Sequence, residues 1–397
     1  MARLAQRLDR YGTTIFAEIS ALAIAAGAVN LGQGDPEIPT PPELLEAIHQ
    51  TLEGPGTAYA RTSGVIDLNL ALSQHSSRFY GLSYDPETEV TVTVGASEAM
   101  MAAAMTLVDP GSEVIVFEPF YEFYRSAVEF AGGTVVPVPM LPPDFALDLD
   151  RVRAAIGPRT KGIILNSPQN PTGKMLSREE LAGLAALCVE HDLFAITDEV
   201  YEHLAFSRPH LPLAGFPGMR ERTIRISSAG KTFSVTGWRI GWAYAPAEIT
   251  RSFRIAKTAI TFCAAAAFQP VVAQALRMSD AFFAERTSMY RERRDFMVEG
   301  LRQAGIPVLV PDGAMYVTAD FGPLGVTDGV AFAKSLPHSA GVAVIPISAF
   351  CVNKAPFSSL LRVTFCKPFE TLAAGLEKFS ALGEKMNAGK MAGVSRG

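Results

Sequence analysis

Short runs of apolar residues alternate along this chain with stretches whose apolar positions recur at helical spacing. Glu89–Gly95 (EVTVTVG), Glu113–Phe117 (EVIVF), Lys161–Asn166 (KGIILN), Leu193–Glu199 (LFAITDE) and Thr223–Ser228 (TIRISS) are almost continuously apolar or β-branched. Runs of this kind predict strands buried on both faces. Between two of them, SREELAGLAALCVEH reads as an amphipathic helix. Its start is marked by Ser177 with Glu180 three residues on, the spacing of a capping box. Apolar strands alternating with helices predict an α/β core, a mostly parallel sheet sandwiched by helices. Ligands in such sheets bind at the carboxyl ends of the strands.

After about residue 285 the pattern changes. RTSMYRERRDFMVEGLRQAG predicts a long charged helix, followed by shorter strands in AMYVTAD, GVAVIP and LLRVTFC. This gives a large domain over 41–285 and a smaller α+β domain over 286–385, with residues 1–40 as an arm packed on the smaller one. The tail 386–397 is small and polar and is expected to fray. The most apolar window, AITFCAAAAFQPVVAQAL, contains Thr261, Gln269, Pro270 and Gln274, so it predicts a buried helix interrupted at the proline rather than a membrane span.

Composition narrows the function. The chain has 397 residues, 48% hydrophobic and 19% charged, with a formal net charge of -5, as soluble enzymes do. No block of Lys and Arg offers a surface for nucleic acid or an anionic membrane. Cysteines 188, 263, 351 and 366 lack metal-finger or C-x-x-C spacing, which suits a reducing, cytoplasmic compartment and no bound metal. The N-terminal residues mix charges with apolar residues and do not form a secretory signal.

Five predicted strand ends carry unusual residues. At VTVGASEAM, Gly95, Ala96 and Ser97 open a helix whose free N–H groups can hold an anion, or Ser97 is simply its cap. At EPFYEFY, Pro119 is followed by Phe120, Tyr121 and Tyr124, which can stack on a flat ring or pack a core. At NSPQNPTGK, Asn166, Gln169 and Asn170 surround two prolines, either of which can be cis and so hold an amide in place. At ITDEVYEHL, Asp198 follows Phe194-Ala195-Ile196 and is poorly solvated, so it needs a partner; Tyr201 lies three residues on. At SSAGKTFSVTGWRIGW, Lys231 sits among small residues with Ser228 and Arg239 nearby. A lysine in poor solvent is a nucleophile toward carbonyls, whereas a lysine reaching outward would be ordinary.

Taken together these residues suit a flat, phosphorylated aldehyde with a basic ring nitrogen, pyridoxal 5'-phosphate (PLP). Lys231 takes the aldehyde, Asp198 pairs with the ring nitrogen, and Asn170 and Tyr201 bond the ring oxygen. Tyr121 covers the ring, while Gly95, Ala96, Ser97, Ser228 and Arg239 bind the phosphate.

The ordered set NLGQGDPEIPTP, VGASEAM, EPFYEFY, NSPQNPTGK, TDEVYEHL, SSAGKTFSVTGWRIGW and LLRVTFCK resembles the motifs of class I/II, fold-type I aminotransferases from about residue 10 to about residue 382. The likeness is greatest to the kynurenine, methionine and glutamine aminotransferase subgroup and its actinobacterial succinyl-diaminopimelate aminotransferase relatives. The resemblance implies a homodimer with shared active sites, acting on an amino acid and a 2-oxo acid. It implies Lys231 as the Schiff-base lysine, Asp198 as ring-nitrogen partner, and Tyr59 reaching the phosphate from the other subunit. It also implies Arg362 as the grip on the substrate α-carboxylate, with Gly34 beside that carboxylate and Phe16 lining the pocket. An arginine fork suits a carboxylate better than a lysine does.

One segment departs from the family pattern. In YARTSGVIDLNLAL, Ile66 stands where proline is usual and Asn69 where arginine is usual, with Asp67 between. That departure motivates a second reading, in which the same carbanion chemistry serves elimination, replacement or ring closure, some such enzymes taking S-adenosylmethionine. A third, a ligand-sensing regulator, would need a basic DNA-binding segment that this sequence lacks.

Overall fold

The computed structural model describes residues 8–9, 11–53 and 58–394, with side chains as far as 386. Its strands, in chain order, are β1 (Val29–Asn30), β2 (Val90–Val94), β3 (Glu113–Glu118), β4 (Thr134–Pro139), β5 (Thr160–Asn166), β6 (Phe194–Asp198), β7 (Thr223–Ser228), β8 (Ile240–Tyr244), β9 (Val308–Leu309), β10 (Tyr316–Asp320), β11 (Val342–Ala343), β12 (Ile345–Pro346) and β13 (Leu360–Thr364). Seven form one sheet in the order β2-β8-β7-β6-β5-β3-β4. β4, β3, β5, β6 and β7 run parallel, and β8 runs antiparallel to both β7 and β2.

The predicted strands are buried on both faces for a visible reason. Ile115, Phe117, Ile163 and Leu165 pack with Leu181 and Leu184 of the helix Arg178–Glu190 on one side. Val114, Val116, Ile164 and Ile196 pack with Ala99, Ala102 and Ala103 of the helix Gly95–Leu107 on the other. The Ser177–Glu180 capping box is formed as its spacing predicts.

Two strands of this sheet were not anticipated. β4 carries Pro137 and Pro139, residues that disguise a strand but are tolerated at a sheet edge, where β4 lies. β8 is hidden in GWRIGWAY, where glycine and arginine break the apolar run. Gly241 is required there, because a Cβ would lie 2.5 Å from the backbone carbonyl carbon of Gly95.

A second, antiparallel sheet has the order β12-β13-β10-β9. GVAVIP divides: β11 pairs in parallel with β1, and β12 joins β13. Through that pairing the N-terminal segment meets the C-terminal one, and Ile19, Ala23 and Leu31 share a core with Leu336, Val342 and Val363. The position 285/286 falls inside the helix Asp280–Gln303, which runs on without a break. The tail expected to fray continues the helix Phe369–Val394, in keeping with the helix-forming Met, Ala and Lys residues there; residues 395–397 lie outside the described residues.

The apolar window is also corrected. It does not break at Pro270, which lies in the first turn of the helix Phe268–Leu276, where a missing N–H costs nothing. The interruption comes earlier, after the helix Ala247–Thr261, where Phe262 adopts φ 64°. No helix of the described residues is long and apolar enough to cross a membrane.

Candidate active site

The last residues of β5, β6 and β7 are Asn166, Asp198 and Ser228, and all three line one cavity of about 570 Å³. The cavity therefore opens where a parallel sheet presents its carboxyl ends. Lys231 enters it from the short helix Ala229–Thr232 that follows β7. Its Nζ donates to the Gly34 carbonyl at 2.6 Å. Gly34 leaves room for a neighbour: a Cβ there would lie 2.0 Å from the Tyr316 hydroxyl.

Asp198 is 8% exposed. Its Oδ2 accepts from the Tyr124 hydroxyl at 2.7 Å and its Oδ1 from the Val200 amide at 3.2 Å. Burial pushes its carboxyl up from 3.8 to about 6, against the pull of the Tyr124 bond. No cation bonds to it among the described residues. Asn166 caps the arrangement by donating to the Asp198 carbonyl at 2.8 Å while its Oδ1 accepts from the Asn170 amide at 2.7 Å. Both neighbouring proline bonds, Ser167-Pro168 and Asn170-Pro171, are cis.

Arg362 is 1% exposed on β13. Its guanidinium donates to Asn170 Oδ1 at 2.7 Å and to the Gly32 carbonyl at 2.6 Å. Its Nε has no partner. Three rings surround it, with centroids at 4.2 Å (Tyr316), 5.0 Å (Phe16) and 5.2 Å (Phe350). Burial works against the charge and lowers the guanidinium below its ordinary value. A buried cation among rings, with a free N–H and no carboxylate, is a receptor awaiting an anion.

The cavity is also lined by Ala96, Ser97, Ser228, Thr236 and Arg239. The helix begins at Gly95, so Ser97 is already inside its first turn and is not the cap; Val94, the N-cap, offers no capping side chain, and of the amides at this end Glu98 accepts only from that of Val94, at 2.5 Å. Gly95 has φ 71°, and a Cβ there would lie 2.3 Å from an Arg239 guanidinium nitrogen. Helix N–H groups, the Ser97 and Ser228 hydroxyls and the Arg239 guanidinium make an anion site, while the Thr236 hydroxyl donates to Asp35 at 2.6 Å.

The structure thus brings together Phe16, Gly34, Ala96, Ser97, Tyr121, Asn170, Asp198, Tyr201, Ser228, Lys231, Arg239 and Arg362, with Gly95 behind them. It does not bring Tyr59, which is 87% exposed, lies against Phe262 and does not line the cavity. Gln169 also serves elsewhere, donating to the Pro119 carbonyl at 2.9 Å. Tyr316 was missed. Its hydroxyl lies 3.0 Å from that of Tyr201 and its ring stacks on Arg362. The register shows why: AMYVTAD and LLRVTFC form neighbouring strands, and with Thr318 opposite Arg362 the Tyr316 side chain falls on the same face, diagonal to it.

The departing segment lies outside the cavity. Ile66 opens the helix Ile66–Tyr80, Asp67 pairs with Arg277 at 2.6 Å on the surface, and buried Asn69 donates to the Pro86 carbonyl at 3.0 Å. These contacts tie the helix to the turn before β2 and to the end of the helix Phe268–Leu276, and give no support to a different reaction.

The family model for aminotransferase class I and II matches residues 26–379. Over 390 residues the chain is 48% identical to a probable N-succinyldiaminopimelate aminotransferase, DapC, of Mycobacterium tuberculosis, covering 96% of this chain and 98% of that one. It is 36% identical over 378 residues to methionine aminotransferase of Escherichia coli, covering 95% and 97%. The solved structure of the Mycobacterium tuberculosis N-succinyldiaminopimelate aminotransferase matches with a TM-score of 0.93, over 96% of this chain and 100% of that one. A match this long, on a sheet whose strand ends converge on one lysine, places the chain in the class I and II aminotransferases, fold-type I enzymes that transfer amino groups.

Proposed function

We propose that the cavity holds pyridoxal 5'-phosphate and moves an α-amino group between an L-amino acid and a 2-oxo acid. The observation that carries this is one cavity holding Lys231, an acid in Asp198 bonded to no cation, and an anion site. A protonated ring nitrogen would supply the missing partner of Asp198. Gly95, Ala96, Ser97, Ser228 and Arg239 would hold the phosphate, Tyr121 would cover the ring, and Asn170 and Tyr201 would bond its oxygen. When bound, the cofactor supplies an electron sink for the charge left at the substrate α-carbon and carries the amino group between half-reactions.

The chain's own groups do the rest. Arg362 grips the substrate α-carboxylate, with Asn170 holding the guanidinium in plane. Lys231 Nζ removes the α-proton and returns it. The Gly34 carbonyl keeps that nitrogen inside the cavity beforehand. Asp198, ionised once it meets a cation, holds the ring nitrogen protonated.

The exposure of Tyr59 supports a homodimer in which it serves the partner's phosphate site. The four unpaired cysteines support a cytoplasmic location. The rings of Phe16, Tyr121, Tyr201 and Tyr316 support large apolar or sulfur-containing side chains. The test is reconstitution of wild-type and Lys231→Ala protein with PLP. The wild type is expected to give the lysine-linked absorbance and to convert an amino donor into its 2-oxo acid, and the variant to do neither. A variant that transaminates at the wild-type rate would sink the assignment.

A further inference from the structure

Outside the cavity, β6 and β7 lead into a buried polar layer that amino transfer does not use. Glu199 is saturated: Arg225 bonds it at 2.8 Å and 3.0 Å and His210 lies at 3.1 Å. Glu202, 5% exposed, is held less tightly. Its Oε1 accepts from the Ser227 hydroxyl at 2.5 Å, the Tyr80 hydroxyl bonds it, and the Arg225 guanidinium pairs with its Oε2 more loosely, at 3.9 Å. Beside it, the Nε2 atoms of His75 and His203 face each other at 2.8 Å.

Two imidazole nitrogens at that separation must share either a proton or a cation, because their lone pairs otherwise repel. Neutral imidazole is the form that ligates metals. The ligand atoms of His75, His203 and Glu202 lie within 4.8 Å of one another. A tetrahedral zinc site, with bonds of roughly 2.0–2.1 Å, spaces its ligand atoms by about 3.3 Å. The two imidazole nitrogens, at 2.8 Å, must therefore part by about 0.5 Å and the carboxylate must close in by rotating about its side-chain bonds. His203 is only half-buried and is the most accessible of the three, and a water would complete four ligands.

We propose that His75, His203 and Glu202 form a site for one divalent transition-metal cation of zinc type. Two imidazoles and a carboxylate match the donors such cations prefer. His75 lies on the helix Ile66–Tyr80, and Glu202 and His203 follow directly on Tyr201. The cation would clamp that helix to the turn that carries Tyr201. Its role is a structural brace, separate from the reaction.

The test treats the PLP-loaded enzyme with a chelator, dialyses it, and titrates zinc chloride by calorimetry, with cobalt(II) as a coloured substitute. One equivalent per chain is expected, with the visible cobalt bands of a four-coordinate site. His75→Gln and His203→Gln should each weaken binding by roughly tenfold or more, as loss of a ligand does. Glu202→Gln, which keeps the side-chain shape, should do the same and serves if a histidine variant does not fold. No saturable uptake by the wild type, or uptake unchanged in the variants, would overturn the proposal and leave the pair sharing a proton.

Discussion

Asp198 and Glu199 are adjacent in the chain and buried to a similar degree, yet their surroundings drive them in opposite directions. Asp198 faces the cavity, meets a hydroxyl and an amide, and is pushed up to about 6. Glu199 faces the layer behind, meets a guanidinium and an imidazole, and is drawn down to about 2 despite its burial. One carboxylate has its partner within the chain, and the other is left for a ligand. The same contrast separates Arg225, locked to Glu199, from Arg362, which has only neutral acceptors. Charge paired internally holds the structure, and charge left incomplete marks the site.

Breaking the paired side should give the largest effect. Arg225→Met strands Glu199 in the interior and should lower unfolding stability by about 3–5 kcal/mol, measured in urea, while kcat stays close to the wild-type value. A large loss of kcat without loss of stability would refute the division. On the open side, Asp198→Asn should reduce kcat by roughly 10²–10³-fold at little cost in stability. The sign of its pH effect follows from the raised value. In the cofactor-free protein, stability tied to the neutral Asp198 is full below about 3.8 and is lost as pH climbs through about 6. The variant should lack that slope in thermal unfolding, and PLP should flatten it in the wild type.

Arg362→Lys retains the charge but not the fork. Losing one charge-assisted bond of about 1.5–3 kcal/mol should raise KM for the amino acid roughly tenfold to a hundredfold, and an unchanged KM would remove Arg362 from the carboxylate site. The smallest effect belongs to Tyr316→Phe. Loss of its bond to Tyr201 should cost about 1 kcal/mol in kcat/KM, with the ring still stacked on Arg362. A null result would mean that the stacked ring is what matters.

Much of the fold was legible because burial on two faces leaves nearly continuous apolar runs, as in KGIILN and TIRISS. β4 and β8 were not, since Pro137 and Pro139 at an edge and Gly241 at a close crossing obey constraints set by neighbours distant in the chain. At the site, Lys231, Asp198 and Asn170 stand out because each is an uncomfortable residue at a strand end. Tyr316 does not, because a tyrosine at the start of a strand looks like core until its register against β13 is known. The break near Phe262 was misplaced for a similar reason: Pro270 is a visible helix breaker, but the first turn of a helix tolerates it.

The sequence by itself determined the alternation of strand and helix, the strand ends that bear chemistry, and the family. Tertiary structure decided which side each charge faces. Asp198 and Glu199 read alike in TDEVY, and only packing puts Arg225 against one and an open cavity against the other. A strand's alternation sends neighbouring side chains to opposite faces, but what waits on each face comes from residues far away in the chain.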